Sequence, residues 1–156
     1  MQEWMHMEFE RYWEDFQVSE RKFAGTISAD KAEIIEFAKK FDPQPFHIDE
    51  EKAKSSIYGG IIASGWHSCS LLMRVIYDSY LIDSASLGSP GLEMLKWLGP
   101  FRPEEKYAVY RKIEDTRESK SKSDRGIVKT RWSIEDSDGN EILVLIGTNF
   151  FLKRSI

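Results

Sequence analysis

The sequence predicts an α+β fold in which an antiparallel β-sheet wraps around one long buried helix. Three observations predict it. Helical periodicity is confined to the first half of the chain and strand alternation to the second, and such segregation favours α+β over an alternating βαβ chain. The segment from Ser64 to about Tyr80 is apolar around much of its girth, as befits a helix buried on several sides. The segment Glu141 to Leu152 is apolar at consecutive positions, so both of its faces should be covered. A chain of 156 residues fits one domain, spanning 1–156, better than two.

The elements follow in order. Met1 to Glu20 reads as an irregular lead-in whose aromatics, Trp4, Tyr12, Trp13 and Phe16, dock on the body. Lys22 to Ile27 is a short first strand. Ser28 and Asp30 are both acceptable N-caps for a helix to about Phe41. Ile34, Phe37, Ala38 and Phe41 recur there at helical spacing. Pro43 cannot continue that helix, and the residue before a proline is pushed out of the helical region. Asp42 therefore sits where the helix stops and the chain turns. Asp49 can cap a short helix through Ser55, and Tyr58-Gly59-Gly60 breaks the chain. Ser64 caps the long helix, whose stripe is Trp66, Cys69, Met73, Ile76 and Tyr80, widened by Leu72 and Val75. Gly65, Ser68, Cys69 and Ser70 are small enough for a sheet to approach its first turns closely.

Strands are expected at Leu92 to Leu98, at Lys106 to Ile113 and at Ile127 to Ile134. The second places Tyr107, Val109 and Ile113 on one face, and the third places Val128, Thr130, Trp132 and Ile134 on one face. The Asp138-Gly139 step is a hairpin signal. The last strand, from Glu141, should be central.

Composition excludes several classes. The formal net charge is -4, with none of the basic excess of a nucleic-acid binder or a polybasic membrane surface. Cys69 is the only cysteine, which suits a reducing compartment. Met1 to Glu10 lacks the basic region and apolar run of a signal peptide, and no stretch approaches the ~18 apolar residues of a spanning helix. The expectation is a cytoplasmic protein. Five Trp, six Tyr and nine Phe supply apolar surface for a core or for a ligand tunnel.

The chemistry centres on Phe41-Asp42-Pro43-Gln44-Pro45-Phe46-His47-Ile48-Asp49. Two prolines stiffen this loop. A carboxylate and an imidazole five residues apart on a rigid loop can share one water, a geometry suited to acid–base work. Phe41, Phe46 and Ile48 would lower the local dielectric and tune both groups. A structural role fits the same residues, because Asp before Pro is a common turn starter and buried acid–imidazole pairs also occur in structural networks.

This loop resembles the hydratase motif of the MaoC-like dehydratases, the (R)-specific enoyl-CoA hydratase family of the hot-dog fold, which runs Asp-x-Asn-Pro-apolar-His. Gly60-Ile61-Ile62-Ala63-Ser64-Gly65-Trp66 resembles the family's segment leading into its central helix. Ser89-Pro90-Gly91 and Lys96-Trp97-Leu98-Gly99-Pro100-Phe101-Arg102-Pro103 resemble the strand that leads to an Arg-Pro turn. The similarity spans roughly Tyr12 to Phe151, in register and in order. Gln44 departs from the usual Asn, which bears on how the loop or the acyl thioester is held. Ser64 stands where many members have His, which bears on substrate range.

The resemblance implies a hot-dog fold and a hydro-lyase that hydrates a 2-enoyl-CoA to a 3-hydroxyacyl-CoA. Carried onto this chain, Asp42 is the general base on water, and His47 orients the water and helps deliver a proton to the alpha carbon. Gly65 opens a helix, whose N-terminus presents unpaired N–H groups, so its amide is the expected oxyanion donor. Gln44, Ser64 and Trp66 are expected to bind substrate. No metal or cofactor is expected beyond coenzyme A as part of the substrate. A homodimer or higher even oligomer is expected, with the acyl pocket near the interface. Two rivals remain: an acyl-CoA thioesterase on the same scaffold, and a non-catalytic acyl-thioester binding subunit.

Other residues carry weaker signals. His67 and Asp49 invite a metal site with His47, but their spacing matches no ligand set, and His67 reads as a polar helix residue. Cys69 reads as a buried inert thiol. Trp66 and Trp97 line a pocket or pack in the core. Lys120, Lys122 and Arg125 read as a solvated turn, with contact to coenzyme A phosphates as the rival. Gly59-Gly60 is too short for a phosphate-binding loop.

Overall fold

The structure, a computed structural model, describes residues 7–154; Trp4, one of the expected docking aromatics, lies outside the described residues. A 3-10 turn at Trp13–Asp15 leads to β1 (Lys22–Ile27) and α1 (Lys31–Phe41). Two short helices follow, α2 (Pro45–Ile48) and α3 (Glu50–Lys54). The long helix α4 (Gly65–Ile76) ends in one π-helical turn, Tyr77–Leu81. Four strands complete the chain: β2 (Gly91–Trp97), β3 (Tyr107–Glu118), β4 (Arg125–Glu135) and β5 (Glu141–Leu152).

Local chemistry sets the boundaries. The Asp30 carboxylate accepts the Glu33 N–H at 2.8 Å, so Asp30 and not Ser28 caps α1. Lys39 and Lys40 in the last turn complement the helix dipole. Asp42 ends α1 with its N–H on the Ala38 carbonyl at 2.8 Å. Asp49 caps α3 through the Glu51 and Lys52 amides, both at 3.1 Å. Gly139 adopts φ 82° in the β4–β5 hairpin, a left-handed conformation that costs glycine little.

The five strands form one antiparallel sheet in the order β1-β3-β4-β5-β2. Bulges at Phe23/Gly25, Leu92/Met94 and Ile113/Asp115 bend the strands locally. β5 is interior, between β4 and the edge strand β2, while β4 lies in the middle. β3 extends well past Ile113 because, after the bulge, its charged residues keep pairing with β4; apolar alternation gives no sign of such pairing.

Leu72, Val75, Ile76 and Tyr80 join the core with Val109, Ile113, Val128, Trp132, Ile134 and Leu143 from the sheet. Tyr80 stacks on Trp132 with centroids 5.7 Å apart. Phe16 from the lead-in is buried against Phe151 at 4.2 Å. Leu72 is fully buried, and its truncation to Ala costs about 2–5 kcal/mol. The expectation that α4 is buried on several sides needs correction. Trp66, Met73 and Tyr77 are exposed at 59%, 48% and 43%, because the sheet of one chain covers only the side carrying Leu72 and Ile76. No helix among the described residues is long and apolar enough to cross a membrane.

Candidate active site

The residues Ile61, Ile62, Ala63 and Ser64, all buried, back the Asp42–His47 loop. The Ile62 N–H donates to the Phe46 carbonyl at 3.3 Å, and the Ala63 N–H donates to the Phe101 carbonyl at 2.9 Å. The loop also ties itself: Gln44 N–H donates to the Asp42 carbonyl at 2.8 Å, and His47 N–H to the Gln44 carbonyl at 2.9 Å. Pro45 opens α2, where its missing N–H costs nothing. Thus α1 delivers Asp42, and α2 turns His47 back toward it.

His47 is 4% exposed. Its Nδ1 lies 2.7 Å from the Ile62 carbonyl oxygen. A carbonyl only accepts, so Nδ1 carries a hydrogen. Nε2 is then the nitrogen turned toward Asp42, 3.3 Å from its Oδ2. Phe46 meets the imidazole edge-on at 4.5 Å.

Both oxygens of Asp42 have a neutral donor. Ser64 Oγ donates to Oδ2 at 2.6 Å, and Gln44 Nε2 donates to Oδ1 at 2.8 Å. The Ser64 hydroxyl above all holds the carboxyl below the ordinary aspartate value; the Gln44 amide and His47 add to this, and burial opposes it. Asp42 is therefore a carboxylate at neutral pH.

Asp42, Gln44 and His47 form the polar end of a cavity of about 530 Å³, with Phe46, Tyr58, Trp66, Trp97 and Phe101 among its walls. Gly65 also lines it, and its N–H has no acceptor among the described residues. The Trp97 indole lies against Gly65 so closely that a Cβ there would come within 2.5 Å of the ring. The close approach that Gly65 permits is thus made by Trp97. The arrangement brings to one cavity a carboxylate, an imidazole and, at Gly65, an amide with no acceptor among the described residues.

Asp42, His47, Gly65, Gln44 and Trp66 all meet at this cavity. Ser64 is not among the residues that line it. It is fully buried, and as N-cap of α4 its side chain turns back over the helix end, accepting the Trp66 N–H at 3.3 Å. Phe41 needs correction. It is 63% exposed and packs on Phe37 with centroids 5.0 Å apart, because Asp42 turns the chain away from its face.

His67 lies on α4 as a helix residue and is buried there, stacked on Phe37 at 4.5 Å with its Nε2 3.3 Å from Glu33. Among the described residues, no group of three His, Cys, Asp or Glu gathers as a metal site would. Cys69 is half-buried, and burial pushes its thiol up, consistent with an inert thiol. The Lys120–Arg125 turn is largely exposed, and Arg125 pairs with Asp124 at 2.7 Å. It joins β3 at the end away from Tyr107, which stacks on cavity-lining Phe101 at 4.3 Å; the solvated reading fits. Sequence reasoning missed Tyr58 and the Ile62 carbonyl. Tyr58 was hidden inside a turn signal, and a backbone carbonyl leaves no mark in the residue type.

Comparisons with known proteins add the following. The family model for the MaoC like domain matches residues 16–133. The chain is similar to the MaoC-like dehydratase from Rhodospirillum rubrum at 34% identity and a TM-score of 0.83, over 93% of this chain and 99% of that one. It is similar in fold to the (R)-hydratase from A. caviae involved in PHA biosynthesis, at 18% identity and a TM-score of 0.72, over 89% of this chain and 98% of that one. It is also 25% identical over 92 residues to the uncharacterized protein YdeM of Bacillus subtilis (strain 168), covering 59% of this chain and 65% of YdeM. The match thus spans just under two thirds of that curated relative.

Proposed function

Because the chain belongs to the MaoC-like domain family and has a hot-dog fold, we propose that it is a hydro-lyase that reversibly hydrates a 2-enoyl-CoA thioester to its 3-hydroxyacyl form. One observation carries the reading: Asp42 Oδ2 and His47 Nε2 lie 3.3 Å apart at the polar end of a cavity.

A water held beside the pair, within hydrogen-bond reach of both atoms, meets a base and an acid. Asp42 takes one proton as the water oxygen bonds to C3. The protonated form of His47 gives its Nε2 proton to C2, so the double bond is consumed and atoms balance. The proton on Oδ2 then passes to Nε2 across their contact, which restores both groups. Dehydration runs the same steps backward. Negative charge develops on the thioester oxygen, where the free Gly65 N–H serves as donor; a preorganised donor of this kind contributes about 2.7–4 kcal/mol. The steps are acid–base alone and call on no metal or further cofactor. The aromatic walls contributed by Phe46, Trp66 and Trp97 exclude water from the acyl group.

The same reading makes the protein a homodimer or a higher even oligomer. β2 is an open sheet edge, and Leu92, Leu98, Trp66, Met73 and Tyr77 are exposed near it or on α4, surface that a second copy covers. Sedimentation equilibrium measures this directly. A cytoplasmic setting fits the single cysteine.

The deciding experiment follows loss of the conjugated-thioester absorbance across a panel of 2-enoyl-CoA substrates, with product analysis. Accumulation of a 3-hydroxyacyl thioester is expected. Release of free thiol would assign a thioesterase instead, and binding without turnover a non-catalytic subunit.

A further inference from the structure

We infer that Ser64 is a positioning residue whose hydroxyl clamps the Asp42 carboxylate to the first turn of α4, fixing the base relative to the Gly65 amide. For its kinetic consequence this inference rests on the proposed hydratase reading.

Ser64 is fully buried and stands behind the cavity wall, so any effect on a substrate must pass through another group. A hydroxyl has one proton and two lone pairs. The proton goes to Asp42 Oδ2 at 2.6 Å, and a lone pair takes the Trp66 N–H at 3.3 Å. The rotor is thereby fixed by two partners on two different elements. With Gln44 on Oδ1 and Ser64 on Oδ2, the plane of the carboxylate is set, and the remaining lone pairs are free to meet water and His47. Gln44 is exposed, whereas Ser64 is buried; a charged acceptor gains more from the desolvated donor. The next residue is Gly65, so base and oxyanion donor are joined through one rigid residue.

Capping alone does not account for this arrangement. A helix cap needs only an acceptor, and Asp30 performs that task for α1 with no proton to give. The donated proton of Ser64 is the additional feature, and it is aimed at the one carboxylate of the cavity.

The test uses the intact protein with Ser64→Ala, Ser64→Thr and, as a capping control on another helix, Asp30→Ala. The first measurement, a carbon-13 NMR titration of the Asp42 carboxyl, needs no turnover. The wild-type midpoint is expected below the ordinary aspartate value, moving up in Ser64→Ala and staying in place in Ser64→Thr and Asp30→Ala. A wild-type midpoint at or above the ordinary value, or one unmoved by Ser64→Ala, overturns the inference, and the wild-type result stands even if the Ala variant does not fold. The second measurement is steady-state hydration of a 2-enoyl-CoA. Ser64→Ala is expected to lower kcat on the order of tenfold or more, the scale of a hydrogen bond to a charged group. KM should stay within about twofold, and Ser64→Thr should restore kcat. A change confined to KM assigns Ser64 to substrate binding, and an equal kcat loss in Asp30→Ala assigns the effect to capping; either overturns the inference. Absence of turnover in the wild type removes the hydratase reading while leaving the titration to judge the clamp.

Discussion

His47 and His67 are both buried, at 4% and 3% exposure, and each places Nε2 3.3 Å from a carboxylate, Asp42 in one case and Glu33 in the other. Their surroundings differ. His47 has its Nδ1 hydrogen committed to the Ile62 carbonyl at 2.7 Å, while His67 Nδ1 has no partner among the described residues. Asp42 is gripped by Ser64 and Gln44, while Glu33 is half-exposed at 49%. His47 opens on a cavity of about 530 Å³, and His67 lies flat against Phe37, 7° from parallel. Burial and a nearby carboxylate therefore do not make a site. What the Asp42–His47 pair adds is a fixed tautomer, a held carboxylate and an adjoining space.

Substitutions at the two pairs test that contrast most strongly. Asp42→Asn and His47→Ala should each lower kcat/KM for 2-enoyl-CoA hydration by about 10²–10⁴-fold, the usual scale of general acid–base help. Circular dichroism should stay native. His67→Leu should keep activity near wild type, and an activity loss there matching that of His47→Ala would erase the distinction.

Next in size is Gly65→Ala. Its Cβ meets the Trp97 ring, and overpacking of this kind costs about 1–3 kcal/mol, read as a lower thermal midpoint together with lost turnover. Pairing it with Trp97→Leu should recover the midpoint. Failure to recover would mean that the indole is not what Gly65 accommodates.

The pH dependence separates the carboxylates. Asp42 is depressed in the folded state, so its contribution to stability is present above the unfolded aspartate value and is lost as pH falls through the lower folded one. Hydration should keep its acid limb below the ordinary aspartate value, and Asp42→Asn should flatten stability over that same acid window. An acid limb at the ordinary value would contradict the grip of Ser64 and Gln44.

The smallest effects belong to the His67 pair. Glu33→Gln removes a half-exposed partner and should change stability by less than about 1 kcal/mol. His67→Leu removes an orphaned buried nitrogen and should be nearly neutral or stabilising in chemical denaturation.

Much of this was legible in the residue pattern, and for identifiable reasons. The Asp49 and Ser64 caps, the proline stop after Asp42 and the Asp138-Gly139 hairpin are local events, governed by side chains within a few residues of the backbone they control; the choice of Asp30 over Ser28 for α1 was made by the structure. The inward faces of β3 and β4 follow from strict alternation. The resemblance placed Asp42, His47 and Gly65 in one motif series, and the geometry brings them to one cavity. Ser64 was legible as the cap of α4, but its hydrogen bond to Asp42 was not, because a hydroxyl carries no direction until the fold brings its partner in. Phe41 was misread because adjacency in sequence to Asp42 says nothing once the chain turns at the helix end.

The sequence by itself determined where α1 stops and α4 begins, which faces of β3 and β4 point inward, and that a carboxylate and an imidazole lie five residues apart beside two prolines, since all of these are set by bonds and neighbours close along the chain; that His47 sits on a short helix and not in a loop was not among them. Tertiary structure alone decided which histidine gains a cavity, which hydroxyl grips Asp42, and that Trp97 lies on Gly65. Those depend on residues such as Asp42, Ile62 and Trp97 arriving from separate elements, and only the packing of α1, α4 and the sheet brings them within a few ångströms.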